Sequence, residues 1–411
     1  MERFTGLIGI VVILGIAFLF SNNKKRINYR LVASGLGLQI VIALLVLKVP
    51  AVNSFFQMLG HGMEKIEKFA QEGAAFVYGG LRVADYSTGG GMTYAPGKGF
   101  VFAFNITATI ILVCVLVAIL YYLKVMQFIV SIVAKAMNVV MRVSGAEALS
   151  NVASAFVGQV EAQVMIRAYL PTMTKSELLA SMSGSLACIA GGILVVYASM
   201  GARADYLMAA SLMAAPGALV ISKIVFPETE VSPTMGSVKL EVKSGYSNLI
   251  DAISHGAADG FKIAMNVIAM LIGFIALFAL INFLLGAINP ALSLDSIFGF
   301  IFRPFAWAMG VPKEDVQAVG TLLGQKLTIN EFMAFSKLTS HQVNVVTPKG
   351  LSIVTIAICG FANFSSVGMQ IGGIGALAPE RREDLAKLGM KALLCGTLAS
   401  YLSATIAGII L

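Results

Sequence analysis

Polar side chains interrupt three otherwise apolar stretches of this chain, and their types suit the binding of a neutral polar ligand. A carboxylate accepts hydrogen bonds from hydroxyl groups, and an amide offers a donor and an acceptor side by side. A carboxylate in apolar surroundings is costly unless it has partners. Two glutamates among these residues therefore favour a binding site over the alternative of isolated hairpin caps and interhelical ties. The residues are Gln159, Glu161, Asn330, Glu331, Asn363, Ser365 and Ser366.

The composition indicates which elements must hold these residues. Of the 411 residues, 58% are hydrophobic and 12% are charged, and the mean hydropathy is +0.86. Several segments of about 18 or more residues carry almost no charge, which is the length that crosses a bilayer as a helix. We therefore predict an all-α polytopic membrane protein. Basic residues are not clustered with aromatic residues, so no nucleic-acid partner is expected.

Neither a disulfide framework nor a histidine metal centre is expected. The four cysteines lie inside apolar segments without paired spacing, and the three histidines are scattered. The first apolar run, at 6–20, is followed by its basic cluster instead of being preceded by one. We expect this run to be a retained helix with its basic end in the cytoplasm, and not a cleavable signal peptide.

The second half of the chain repeats the pattern of the first. In each half, a re-entrant hairpin with a polar tip precedes a broken helix and then a plain helix. Counting spans places the two hairpins on opposite sides of the membrane, which is an inverted repeat and is typical of transporters. The prediction is eight transmembrane helices plus two re-entrant hairpins, with interfacial amphipathic helices. The hairpins are predicted at 146–169 and 294–335, the second turning at 312–314, and the broken helices at 177–200 and 351–377.

Four regions follow from this order of elements. Residues 1–123 would form scaffold helices with an interfacial helix and a glycine-rich external loop at 87–99. Residues 124–226 would form the first repeat, which begins with an amphipathic helix. Residues 227–286 would form a linker, an amphipathic helix and a further scaffold helix, and residues 287–411 would form the second repeat.

Several sequence motifs resemble those of the concentrative nucleoside transporter family in its shorter bacterial form. The motifs are FVGQVEA, INEFMAF and CGFANFSS, together with YASMGA and MAAPGALVISKIVFPETE, and the similarity runs from end to end. The resemblance implies a homotrimer in the bacterial cytoplasmic membrane, surrounded by lipid, with a scaffold domain and a moving transport domain. It also implies symport of a uridine-like or adenosine-like nucleoside with sodium or protons, and no organic cofactor.

The resemblance assigns roles to individual residues. The first hairpin tip and a residue after the first helix break would contact the base, while the second hairpin and the second break would hold the ribose. This agrees with the chemistry, because Gln159 can make paired bonds to a base edge and Glu331 can accept from two vicinal hydroxyls. Val160 stands where sodium-coupled members usually carry threonine. The base set is Gln159, Val160, Glu161 and Ile193, and the ribose set is Glu331, Asn363 and Ser366 with Phe361 beside them.

The coupling ion is left open between sodium and the proton. The resemblance places a sodium site at the side chains of Ser154 and Cys188 and the carbonyl groups of Val157, Cys188 and Ile189. Sodium-coupled members usually carry asparagine and serine or threonine at the two side-chain positions, and a thiol is a poor ligand for a hard cation. Burial favours the neutral form of a carboxyl group. Glu161 is therefore the first candidate for a proton carrier.

Other function classes are less well supported by the sequence. The chain has no H-E-x-x-H or G-x-S-x-G motif at membrane depth, so an intramembrane enzyme is not expected. Re-entrant hairpins also occur in channels, but single carboxylates at asymmetric breaks favour a site that closes around its ligand. A cation-coupled symporter of another small polar solute is the nearest alternative.

Overall fold

The computed structural model describes residues 2–79, 102–235, 246–290 and 292–411, which form only helices, turns and loops. Within these residues the prediction of an all-α architecture is confirmed. The glycine-rich loop predicted at 87–99 lies outside the described residues, as does the middle of the linker between the two halves.

Four helices precede the first repeat. The third begins with a proline in its first turn, where the missing N–H costs nothing, and it covers the first segment predicted to be amphipathic. The fourth ends at Tyr122, and Lys124, with φ 63°, precedes the next helix, which is bent by 75° from the fourth. The four are α1 (Glu2–Leu19), α2 (Tyr29–Lys48), α3 (Pro50–Tyr78) and α4 (Phe102–Tyr122).

In the region predicted as the first repeat, short helices flank both the predicted hairpin tip and the predicted helix break. The hairpin begins with a capping box, in which Ser144 and Glu147 exchange bonds with each other's backbone N–H groups. Its return limb contains only one helical turn, and residues 165–172 continue as turns instead of the expected second helix. The helices are α5 (Val125–Met141), α6 (Gly145–Ser154), α7 (Glu161–Val164), α8 (Lys175–Ala187), α9 (Gly191–Ser199) and α10 (Ala204–Val225).

A single 40-residue helix joins the repeats. The amphipathic segment and the span predicted separately before residue 286 are continuous in this helix, α11 (Leu249–Ile288). The second repeat then follows the order of the first. Its helices are α12 (Leu294–Ala308), α13 (Val316–Thr328), α14 (Glu331–Thr339), α15 (Pro348–Ile358), α16 (Phe364–Leu377) and α17 (Arg382–Ile410).

The second hairpin requires a correction to the predicted boundaries. The turn at 312–314 joins α12 to α13, whereas the break that carries Glu331 lies at Ile329 and Asn330. The hairpin is therefore α13 with α14, and α12 is the counterpart of amphipathic α5. The apolar run of α12 suggested a membrane limb, but the signal for the true break was Asn330, whose side chain caps α14 by accepting from Met333 N (2.9 Å).

In the described part of the chain, fewer helices than the predicted eight are long and apolar enough to span a membrane. Among the described residues, five helices are long and apolar enough to cross a membrane, or six if the bent pair α4 and α5 forms one span. Helix α1 and the halves of the second broken helix are apolar but shorter. The eight spans and the re-entrant placement of both hairpins stay predictions.

The two repeats form one buried core, and α4 with α11 lies against its side. Helices α8, α10, α15 and α17 pack on one another, and most of their side chains are buried. Helix α11 packs along α4 but exposes large apolar residues such as Ile272 and Phe283. The polar residues found in the sequence thus lie on the repeats, while α4 and α11 present an apolar outer surface.

Candidate functional site

Four irregular segments between helices carry most of the predicted site residues. They are tip 1 (residues 155–160, between α6 and α7), break 1 (188–190, between α8 and α9), tip 2 (329–330, between α13 and α14) and break 2 (359–363, between α15 and α16). In each segment some backbone N–H and C=O groups lack a helical hydrogen-bond partner. These groups must therefore bond to other parts of the protein.

These segments bond to one another. The Phe156 carbonyl of tip 1 accepts from Gly191 N, just after break 1 (3.1 Å), and the Cys188 carbonyl of break 1 accepts from Phe361 N of break 2 (3.2 Å). Gly360 has φ 143°, and a Cβ there would lie 2.4 Å from the backbone oxygen of Ala187. Only glycine allows this close approach, so break 2 is fixed against break 1.

Tip 2 joins the same group through Glu331. One carboxylate oxygen accepts from the Tyr197 hydroxyl (3.1 Å) and the other accepts from Asn363 Nδ2 (3.0 Å). Tyr197 belongs to α9 of the first repeat and Asn363 to break 2 of the second. Glu331 is 6% exposed, and it is held by neutral donors that leave acceptor capacity on both oxygens.

Asn363 is itself held in one orientation. Its Oδ1 accepts from Ser366 N and from Ser365 Oγ, both at 2.8 Å, so it caps α16 and directs its amide nitrogen toward Glu331. The Ser366 hydroxyl is buried and makes no hydrogen bond with a described residue. The predicted ribose residues Glu331, Asn363 and Ser366 therefore form one cluster, with half-buried Phe361 at its edge.

Tyr197 is a site residue that the sequence did not reveal. It lies in the YASMGA motif, but nothing in that motif distinguishes its hydroxyl from that of a tyrosine at an interface. Its ring is fully buried and stacks on Phe335 of α14, with centroids 4.4 Å apart. This packing places the hydroxyl on Glu331 and ties the first repeat to the second hairpin.

Tip 1 lies against α16, the helix that break 2 begins. Gly158 has φ 144°, which turns the chain at the tip. Gln159 Nε2 lies 3.8 Å from the Met369 sulfur, and Gln159 Oε1 is buried without a partner among the described residues. Val160 packs on Gly373, where a Cβ would lie 2.8 Å from its methyl groups. Helix α16 therefore connects the predicted base residues to the ribose cluster.

A cavity of about 480 Å³ opens beside tip 1, and this volume is within the usual range for small-molecule sites. Three predicted residues, Val157, Glu161 and Ile193, form one wall. Glu331, Asn363 and Ser366 do not line it. The structure thus has an open half at tip 1 and a closed half at tip 2. The sequence did not identify the polar residues on the remaining walls, which are Tyr121, Arg167, Tyr246, His255 and Asp259.

The predicted sodium ligands fit that ion poorly. The Ser154 hydroxyl bonds to Ser150 O (2.7 Å) and to Ser185 Oγ (2.8 Å), and the Ile189 carbonyl accepts from a serine hydroxyl of α10. Cys188 supplies a thiol where a hard cation prefers oxygen. One hydroxyl and three carbonyl groups fall short of the roughly six oxygens such cations gather. No cluster of three His, Cys, Asp or Glu residues occurs in the described part of the chain.

Sequence comparison decides the family. Models described as "Na+ dependent nucleoside transporter N-terminus", "Nucleoside recognition" and "Na+ dependent nucleoside transporter C-terminus" match residues 8–81, 103–204 and 206–408. The chain belongs to the concentrative nucleoside transporter family. It is a nucleoside transporter and a multi-pass membrane protein, in a family of transporters and permeases rather than enzymes.

Named relatives resemble this transporter over its whole length. It is 38% identical to the nucleoside permease NupC of Helicobacter pylori, over 98% of this chain and 96% of that protein. It is 39% identical to the uncharacterized transporter YutK of Bacillus subtilis, over 99% of each. The mouse sodium/nucleoside cotransporter 1 is 36% identical over all of this chain, which covers 64% of the mouse protein.

A solved structure confirms the architecture of the transporter. CNTnw in an inward-facing, substrate-bound state matches with a TM-score of 0.91 at 38% identity, covering 100% of this chain and 99% of that one. A CNTnw variant in an outward-facing state matches nearly as well, with a TM-score of 0.90 at 37% identity over 100% and 98% of the two chains. The helices assigned above therefore form the fold of this family.

Proposed function

We propose that this chain imports nucleosides by symport with a cation and that the two hairpins bind opposite ends of the substrate. The observation that carries the proposal is the Glu331 carboxylate, which is buried at the junction of both repeats with Tyr197 and Asn363 on its two oxygens. A buried carboxylate with two neutral donors retains the capacity to accept from a pair of vicinal hydroxyls, which is the feature that ribose presents.

The ribose hydroxyl groups would form hydrogen bonds with this cluster. Its 2′- and 3′-hydroxyls would donate to Glu331, while the Asn363 amide and the Ser366 hydroxyl would bond to the same two oxygens of the sugar. The Ser366 hydroxyl supports this assignment because it is buried and has no partner among the described residues, and such a group is costly unless a ligand satisfies it. Phe361 would cover the sugar from the side of break 2.

The base would lie toward tip 1. Gln159 has an unpaired amide oxygen, and its amide nitrogen has only a long contact to sulfur, so both groups are available to a base edge. Glu161 and Ile193 border the open cavity, where a planar ring can pack on Ile193. Val160 would contribute an apolar contact where threonine would offer a hydroxyl. Uridine-like and adenosine-like substrates both remain candidates.

For the driving ion, we propose the proton, with Glu161 as its carrier. The support is the poor fit of Ser154 and Cys188 to sodium and the position of Glu161 at the cavity wall. Sodium is the alternative, and the description of the family favours it. In either case the ion and the nucleoside must tighten each other's binding by the same factor.

We further propose a homotrimer in the bacterial inner membrane in which a transport domain moves against a scaffold. Regions 124–226 and 287–411 would move, and regions 1–123 and 227–286 would stay fixed. The exposed apolar surface of α11 supports a contact with lipid or with other subunits. The inward- and outward-facing structures of CNTnw support a movement of this kind.

Uridine accumulation in proteoliposomes tests the function and the ion together. With an acidic outside, a neutral inside and no sodium, the vesicles should concentrate labelled uridine above the outside level. Accumulation with a sodium gradient alone, and none with the pH gradient, would contradict proton coupling. Absence of saturable uptake of both uridine and adenosine under either gradient, from protein that is folded by gel filtration, would contradict nucleoside transport.

A pair of substitutions sharpens the test of the ion. The double variant S154N/C188S restores the two residue types that sodium-coupled members usually carry. If their loss weakened sodium binding, this variant should gain sodium-dependent uptake that the parent lacks. S183A, which removes a buried hydroxyl of α8 that bonds to Leu179 O in the same helix, is the control and should leave the ion dependence unchanged.

A further inference from the structure

Lys326 is a buried cation that the substrate contacts above do not use. It lies on α13, five residues before Glu331, and its side chain is 0% exposed. Its ammonium group makes no hydrogen bond with a described residue, and the ion pairs found among those residues do not include it. A buried ammonium group is strongly unfavourable unless a nearby opposite charge compensates for the lost water.

The nearest acidic residue along the chain is Glu331, which is also buried. Helix α13 ends at tip 2 and α14 begins at Glu331, so the two side chains belong to the two limbs of one hairpin and both are buried. Lys326 lies five residues before Glu331 along the chain, and the two helices that carry them pack on each other. Both Glu331 oxygens are occupied by Tyr197 and Asn363. The two hydrogen bonds of the carboxylate thus come from neutral groups, and neither comes from the lysine.

The first hairpin has no such cation. Residues 145–154, which form its entering limb, contain no lysine or arginine. Glu161 at its tip borders the open cavity together with Arg167, so water and mobile charges can reach it. Glu331 has no comparable access because it is 6% exposed. The closed hairpin therefore carries an internal positive charge that the open hairpin does not need.

We propose that Lys326 is the positioning residue of the ribose site, acting as the fixed counter-charge that keeps Glu331 ionised and able to accept hydroxyl hydrogen bonds. This rests on the proposed function, in which Glu331 binds the ribose. The donor groups on Glu331 set its orientation, and Lys326 supplies the charge balance that neither Tyr197 nor Asn363 can supply. Without the lysine, the buried carboxylate would hold a proton and would compete as a donor with the sugar.

Two measurements test this role on purified protein in detergent. The first is a thermal-stability cycle with K326M, E331Q and the double variant. Removal of either charge alone leaves the other buried and unbalanced, so each single variant should melt lower than the parent. The double variant should melt higher than the sum of the two losses predicts. Additive losses would overturn the proposal.

The second measurement compares the affinities for uridine and 3′-deoxyuridine. K326M should weaken the binding of uridine at least tenfold and that of 3′-deoxyuridine less, because uridine offers two hydroxyl groups to the ionised carboxylate and 3′-deoxyuridine offers one. K326R keeps the charge and should restore discrimination between the two ligands. K337M is the control, since Lys337 lies on α14 of the same hairpin but pairs with Asp295 (2.9 Å) near the surface.

The outcomes separate the two proposals. If K326M lowers the affinities for both ligands equally, or lowers neither, the proposed role of Lys326 is wrong. A parent protein that binds uridine and 3′-deoxyuridine equally would instead overturn the assignment of the ribose to Glu331. The stability cycle does not depend on any ligand, so additive losses together with clear discrimination by the parent would refute the lysine proposal alone.

Discussion

The two hairpins share an order of elements, but their tips lie in different surroundings. Tip 2 begins a helix that Asn330 caps, and its Glu331 is buried against Tyr197 and Asn363. At tip 1, by contrast, Gly158 turns the chain, only one helical turn follows, and Glu161 faces a cavity of about 480 Å³. The second hairpin therefore holds a prebuilt polar cluster, and the first presents groups that a ligand can approach.

This difference matches the two ends of a nucleoside. Every ribonucleoside carries the same ribose, so a fixed cluster of donors and acceptors can be organised before binding and loses little entropy when the sugar arrives. The bases differ in size and in hydrogen-bonding edge, so an open site with an unpaired amide tolerates several of them. The rigid half would supply most of the affinity, and the open half would set the preference among bases.

The largest expected effect is at Glu331. In E331Q the carboxylate loses its charge and one acceptor oxygen, and two charge-assisted bonds to the ribose weaken together. Uridine affinity should fall by roughly a hundredfold or more, and uptake should become undetectable at micromolar uridine. Membrane yield and melting temperature must be measured alongside. Uridine uptake by E331Q at the parent's rate would show that Glu331 does not bind the substrate.

A smaller loss is expected at tip 1. Gln159→Ala removes the amide that faces the base, and a hydrogen bond lost in a dry site costs about 1 to 3 kcal/mol, or roughly a five- to hundredfold weakening. The loss should differ between uridine and adenosine, because their base edges differ. Competition assays with both nucleosides measure it. An identical loss for both, and for ribose alone, would indicate that Gln159 is only a structural cap of the hairpin.

The smallest effect is expected at Tyr197. Y197F keeps the ring that stacks on Phe335 and removes only the hydroxyl on Glu331, while the bond from Asn363 remains. Uridine affinity should fall about tenfold or less, and the affinity for 3′-deoxyuridine should change little. Y401F is a suitable control, since Tyr401 is also buried but its hydroxyl has no partner among the described residues. A larger loss of uridine affinity in Y401F than in Y197F would indicate that the affinity depends on packing and not on the Tyr197 hydroxyl.

Much of this organisation could be predicted from the sequence, because membrane helices and their polar breaks leave strong local signals. The breaks at Cys188 and Cys359 and the plain helices after them lie where the pattern predicted. Glu331, Asn363 and Ser366 were predicted from residue type and family motif, and the structure brings these three together. The roles assigned to them stay predictions.

The remainder depends on contacts between distant parts of the chain. Tyr197 reaches Glu331 only through the packing of α9, and no sequence pattern marks it. The turn at 312–314 resembled a hairpin tip because a proline turn stops a helix as clearly as a capped break does. Two features distinguish them, namely the order of elements, in which α12 corresponds to α5, and the Asn330 cap of α14.

The division of labour between the hairpins is the central claim, and one set of affinities tests it most directly. The quantity is the ratio of the dissociation constants for 3′-deoxyuridine and uridine, measured by calorimetry on the parent, Q159A and E331Q. The ratio should be well above one in the parent, unchanged in Q159A, and close to one in E331Q. A ratio that stays well above one in E331Q, or that falls to about one in Q159A, would contradict the assignment of the ribose to hairpin 2 and the base to hairpin 1.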